Sequence, residues 1–202
     1  MLHTYKQRKF EMLVENANRC NLCERMQGRT RVLSEKNGSI DAKVLFIGEA
    51  PGRLGADRTG IPFFGDQAGR NFERLLQYSG LTRQQVFITN AVLCNPRDEK
   101  GNNSAPNTKE VWNCSLHLSI LIDIMQPELI VPLGRCALNS LKIIENHQFD
   151  LRQDVRKPSK WGKYTVVPMY HPGPRSSIFR SVSDQNRDFS FLGEMLGMQG
   201  IN

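Results

Sequence analysis

Small, acidic and aromatic residues crowd into one stretch of this chain, G-E-A-P-G-R-L-G-A-D-R-T-G-I-P-F-F-G-D over residues 48 to 66. Gly48, Ala50 and Gly52 let backbone approach a ligand closely, and Glu49 and Asp57 can take a proton or orient a water. The rings of Phe63 and Phe64 can lie against a flat heterocycle. A structural strand-to-helix turn would share much of this composition. Other chemistry-bearing residues lie far off in the chain. Cys20 and Cys23 form a C-x-x-C pair, Cys94, Cys114 and Cys136 are single, and His171 opens H-P-G-P-R-S-S directly after an apolar run. The first residues lack the apolar core of a secretion signal, so five cysteines argue for metal binding or catalysis over a disulfide framework. A C-x-x-C with two distant thiols suits zinc or a four-iron cluster, since both take four thiolates.

Regular elements must carry these residues to one place. Val44 to Ile47 is an apolar run that reads as a strand entering the 48–66 loop. A helical pattern with Phe72, Leu75 and Leu76 on one face follows, with Gly80 as its stop. V-F-I-T-N-A-V-L-C, residues 86 to 94, reads as a central parallel strand interrupted by one amide, Asn90. Residues 95 to 107 are turn-rich, and Asn107 with Glu110 makes a capping-box start to a helix through Met125. E-L-I-V-P-L-G is a third strand, a helix spans Cys136 to Ile144, and Y-T-V-V-P-M-Y is a fourth strand running into His171. Residues 145 to 163 read as a basic loop, with Lys157, Lys160 and Lys163 around Trp161. Helical patterns over 4–19 and 186–197 flank the whole.

Strand and helix in alternation predict an α/β fold: a single domain over residues 1–202, three-layer α/β/α, with a central four-stranded, mainly parallel sheet. The loops after the first, second and fourth strands of such a sheet share one edge. The opening loop, Asn90 with Cys94, and His171 are therefore expected at one site.

The 202 residues carry 27 basic and 20 acidic side chains, a net charge of +7, which favours a polyanionic partner such as DNA, RNA or anionic lipid. No apolar run approaches the roughly 20 residues of a membrane span. A cytoplasmic address, no membrane partner and a monomer are the expectations.

In order along the chain, G-E-A-P-G, T-G-I-P-F-F-G, T-N-A-V-L-C and H-P-G-P-R resemble the motifs of the uracil-DNA glycosylase superfamily. The resemblance runs from about Cys20 to Arg180 and is nearest to the two iron–sulfur branches, families 4 and 5. G-E-A-P-G and P-F-F-G are similar to the first branch, R-T-G-I-P-F with the following G-D to the second. It implies a monofunctional enzyme of base-excision repair that hydrolyses the N-glycosidic bond of uracil in single- or double-stranded DNA, since no lysine fills a matched position for a Schiff base. A glycosylase for another deaminated base such as hypoxanthine, or a uracil-DNA-binding module without turnover, are the alternatives, because Ala50 and Ala56 stand where relatives carry acids.

By the same resemblance Asp57 is placed near the sugar to orient water, with Glu49 as the second carboxylate. His171 donates to the base oxygen as charge builds there, and Asn90 reads the uracil edge with a donor and an acceptor. Phe63 stacks on the flipped base while Phe64 is core, and Glu49, Ala50 and Gly52 line the base site. Arg175 occupies the place of a wedge, or with Ser176 and Ser177 grips phosphate. Cys20, Cys23, Cys94 and Cys114 are the expected ligands of a 4Fe-4S cluster, with zinc as the alternative. Cys136 is expected as a core thiol, and His3, His117 and His147 as structural or surface residues.

Overall fold

The computed structural model describes residues 4–198 and residue 200; His3 lies outside the described residues. Five consecutive residues buried on both faces make β1, Val44–Gly48, the centre of the sheet. It pairs in parallel with β2, Val86–Asn90, on one side and with β3, Leu129–Pro132, on the other. Beyond β3 lie β4, Ser159–Trp161, and β5, Tyr164–Val166, giving the order β2-β1-β3-β5-β4 with only β4 antiparallel.

The sheet therefore has five strands rather than the expected four. The added strand comes from the stretch read as a loop. Trp161 and Tyr164 are buried while Lys160 and Lys163 are exposed, and the two-residue turn between the paired Trp161 and Tyr164 is allowed by Gly162 at φ 52°. Three-residue strands are too short to leave a readable period. β2 ends at Asn90, four residues earlier than expected: the Ala91 amide still makes the ladder bond to the Gly48 carbonyl, but the Val92 amide turns to the Glu49 carbonyl and the ladder stops.

Helices cover both faces. On one side α1, Tyr5–Arg19, α4, Thr108–Met125, and α5, Arg135–Ile144, bury Phe10, Leu13, Leu118, Leu121 and Leu138 against Leu45 and Phe87. Thr4 caps α1 by accepting from the Gln7 amide, and the Asn107–Glu110 capping box starts α4 as expected. On the other side α3, Gln67–Ser79, and α7, Val182–Met195, pack Phe72 and Phe189 on Phe46. α3 and α7 approach so closely that a Cβ on Gly193 would lie 2.4 Å from the Ser79 carbonyl oxygen. Each fully buried Leu or Phe contributes about 1.5–3 kcal/mol. From β1 the chain steps to β2, then crosses back over β1 to β3. That reversal opens a crevice at the carboxyl ends of β1 and β3, where ligands bind in such sheets. No helix of the described residues is long and apolar enough to cross a membrane.

Candidate active site

A cavity of about 400 Å³ occupies that crevice. The loop after β1 contributes Glu49, Ala50 and Gly52, the end of β2 contributes Asn90, and the segment after β5 contributes His171. Phe63 closes one wall. The sheet thus brings together residues up to 122 positions apart, as its topology demands.

Asn90 is 4% exposed, yet its side chain has no hydrogen-bond partner among the described residues; it faces the cavity. A buried amide left without protein partners is costly unless something enters to satisfy it. Gly48 makes the space for it: a Cβ there would lie 2.5 Å from Asn90 Oδ1 and 2.9 Å from Phe63 Cζ.

The His171 ring is oriented from behind. The Gly173 amide donates to His171 Nδ1 at 2.9 Å, so the neutral ring carries its proton on Nε2. Burial pushes its pKa down to about 4, against a smaller upward pull from the Asp66 carboxylate. At neutral pH the site thus holds an uncharged imidazole with one fixed donor. Burial also raises the pKa of Glu49 above the usual carboxylate range. The Glu49 carboxylate has no hydrogen-bond partner among the described residues.

Asp57 departs from expectation. It sits on α2, Ala56–Thr59, outside the cavity lining, and its Oδ2 accepts from Arg97 Nη2 at 2.6 Å. Arg97 Nε in turn donates to Asn95 Oδ1 at 2.8 Å, and Asn95 Nδ2 donates to the Pro51 carbonyl. The turn of helix after Gly55 directs Asp57 away from the crevice and toward the 95–107 loop, where it braces the wall. Phe64 is also not core: it is 49% exposed, because the chain turns at Phe63, which adopts φ 47°. Arg175 and Ser177 are exposed on a 3-10 turn, Pro174–Ile178, at the rim beside Gly173 and Pro174, and Ser176 is half-buried there. Ser177 Oγ donates to the Pro174 carbonyl. None of Lys157, Lys160 and Lys163 reaches the cavity.

Sequence reasoning missed part of the wall. Asp66 lines the cavity while its Oδ1 caps α3 through the Gly69 amide, an ordinary helix-start pattern that hid its second face. Its Oδ2 fits because residues 52 and 55 are glycine: a Cβ on either would stand 2.6 or 2.4 Å away. Asn95, Asn103 and Ser104 form the facing wall. Their only trace in sequence was the Asn-rich turn composition of residues 95–107.

Cys20, Cys23, Cys94 and Cys114 surround a second, smaller cavity, together with Met26, Arg31 and Asn113. All are free thiols. Burial raises Cys94 to about 11 and Cys114 to about 12, so a bound cation is what would deprotonate them. Arg31 is anchored by Nη1 on the Arg29 carbonyl at 2.6 Å and Nη2 on the Cys20 carbonyl at 2.7 Å. Its Nε is buried without a partner, a donor left for an anion among the thiols. No group of three or more His, Cys, Asp and Glu among the described residues is arranged to hold one metal ion. Cys136 packs against the buried cluster of Met26, Val92 and Val111 and is held neutral by burial, its thiol pushed up to about 12.

Comparison with known proteins agrees with this geometry. Residues 35–190 match the family model described as the Uracil DNA glycosylase superfamily. The chain is 33% identical to a type-4 uracil-DNA glycosylase of Thermotoga maritima, over 88% of this chain and 86% of that protein. It is 30% identical to a type-4 uracil-DNA glycosylase of Archaeoglobus fulgidus over 92% of each chain. A type-5 uracil-DNA glycosylase of Thermus thermophilus is 28% identical over 78% of this chain and 81% of its own.

Proposed function

This chain belongs to the uracil DNA glycosylase superfamily, and from that premise we propose that it excises uracil from DNA by hydrolysis, leaving an abasic site. The observation that carries the reading is the Asn90 amide, 4% exposed and unpartnered, facing a cavity that also holds His171, Phe63 and Glu49. Asn90 offers a donor and an acceptor, the complement of the uracil edge. Phe63 stacks on the extruded ring.

As the bond from the sugar C1′ to the uracil N1 breaks, its electron pair leaves with the base and charge gathers on a uracil oxygen. The His171 Nε2–H, fixed by Gly173, donates to that oxygen without having to move. A water oxygen bonds to C1′ and gives up a proton. We assign Glu49 to orient that water and take the proton, since it lines the cavity unbonded while Asp57 is engaged with Arg97. No lysine among the described residues lines the cavity, which supports a hydrolytic rather than a Schiff-base reaction. The reading includes a monomer and a single domain over residues 1–202.

The four thiols, with the Arg31 donor beside them, are the donor set that a 4Fe-4S cluster takes, with zinc as the alternative. Cys20, Cys23, Cys94 and Cys114 would hold it, and it would supply iron–thiolate bonds joining the segment after α1 to the segment after β2 and to α4. Excision itself runs on the chain's own side chains.

The test is a labelled oligonucleotide with one uracil, incubated with the protein and then treated with hot alkali. Cleavage at the uracil that depends on the alkali supports the reading. Cleavage of a hypoxanthine oligonucleotide alone would move the substrate to that base, and binding without an abasic product would leave a binding module.

A further inference from the structure

Resting on the base-excision reading, we propose that Arg83, which lies outside the cavity, is a positioning residue that holds the Phe63 ring in the plane on which the base stacks. Phe63 has φ 47°, the left-handed region that aromatic residues rarely enter. Left to itself, the residue would relax to negative φ and swing its ring.

Three neighbours bear on it. Arg83 Nη2 donates to the Phe63 carbonyl at 2.6 Å. Gly69 lets that carbonyl in, since a Cβ there would stand 2.6 Å from the oxygen. The Phe72 ring lies beneath Phe63, centroids 4.8 Å apart and planes 20° apart. Gly69 and Phe72 permit the pose; the Arg83 hydrogen bond pulls the carbonyl into it.

Arg83 is itself aimed. Its Nε pairs with Glu73 on α3, and its guanidinium lies over the Phe72 ring at 5.8 Å. Its turn, Arg83–Gln85, is closed by a Thr82–Gln85 capping box and runs straight into β2. The strand that delivers Asn90 thus carries the group that sets Phe63, and the edge reader and the stacking ring share one reference. Besides covering the buried Phe72 ring, the guanidinium is bound to a backbone carbonyl at the cavity wall.

The experiment measures uracil excision and binding of an abasic oligonucleotide, which has no base to stack. Arg83→Ala should raise the KM for uracil DNA on the order of tenfold, within the range of base–aromatic stacking, with kcat changed much less. Affinity for abasic DNA should stay within about twofold, on the same reasoning that only the base is stacked. Arg83→Lys, which can reach the same carbonyl, should recover most of the loss. In a Phe63→Leu background Arg83→Ala should add nothing. Should Arg83→Ala not fold, Glu73→Gln keeps the guanidinium but loosens its aim and should give the same pattern, smaller. Equal weakening of uracil and abasic DNA, or an undiminished Arg83 effect without the Phe63 ring, would overturn the proposal. Wild-type protein that excises no uracil would sink the parent reading instead, whatever Arg83 does.

Discussion

Gly48→Ala is the substitution that tests the site with the smallest change of atoms. Gly48 ends β1 beneath both Asn90 and Phe63. The added methyl would meet Asn90 Oδ1 at 2.5 Å and Phe63 Cζ at 2.9 Å, where ordinary contacts begin at 3.4 Å. The amide oxygen must then retreat by about 0.9 Å and the ring by about 0.5 Å. Overpacking of this size costs roughly 1–3 kcal/mol, a fall in Tm of about 2–12 °C for a chain of this length. The chemical cost adds to this, because a displacement near 1 Å of a positioning group lowers rates by about a hundredfold, about 2.7 kcal/mol in the barrier. Single-turnover excision, measured beside a thermal melt, separates the two. Gly193→Ala is the control: its methyl would press on Ser79 backbone between α3 and α7, far from the crevice. It should lower Tm at least as much, yet leave the rate of the folded protein within about twofold, as expected of a distant site. A Gly48→Ala enzyme at wild-type rate, or a Gly193→Ala enzyme as slow as Gly48→Ala, would refute the reasoning.

Further outcomes follow from the same geometry. His171→Asn should cost about 10²–10³ in kcat, the worth of one donor to developing charge. It should also flatten the acid side of the stability profile. With a folded pKa of about 4 against 6.5 when unfolded, wild-type His171 takes a proton only in the unfolded chain between those values. Stability is therefore lost as pH falls from 6.5 to 4, by about 3 kcal/mol from this group, and denaturant titrations across that window should show the variant losing less. Glu49→Gln should slow excision by about 10²-fold or more. Asp57→Asn should instead lower stability by breaking a buried pair, a loss of about 2–4 kcal/mol read by denaturant melt, with kcat nearly kept. The acid limb of the rate profile should lie above the usual carboxylate range, since burial raises Glu49. If the four thiols hold the proposed cluster, Arg31→Gln, which removes the orphaned donor beside them, should speed the loss of its absorbance in air; bleaching at the wild-type rate would remove Arg31 from that site.

Much of the site was legible because short-range pattern carried it. Gly48, Glu49 and Ala50 follow an apolar run, Asn90 is the one amide in such a run, and His171 follows another. Sheet topology then dictates that the three meet. Phe63 was readable as a ring in a Gly-Pro loop, but its partner Phe64 was misplaced, because only the backbone shows that the chain turns at φ 47° and throws the second ring outward. Asp57 lies outside the cavity for a related reason. Its true partner, Arg97, is forty residues away, and no local pattern joins them. Asp66, Arg31 and Arg83 left weaker traces: one reads as a helix cap, one as a residue in a basic stretch, one as part of a turn. Each also makes a second contact across the fold that its local pattern does not show. β4 escaped because three residues hold too little period.

The most direct measurement is release of free base, followed chromatographically under single-turnover conditions from oligonucleotides carrying one uracil or one cytosine. Wild-type protein should release uracil and leave cytosine, and Asn90→Ala should lose uracil release by two orders of magnitude or more, given that buried polar groups built to read an edge are worth about that much. Release that is indifferent to the base, or an Asn90→Ala enzyme that releases uracil at the wild-type rate, would contradict the assignment of this pocket.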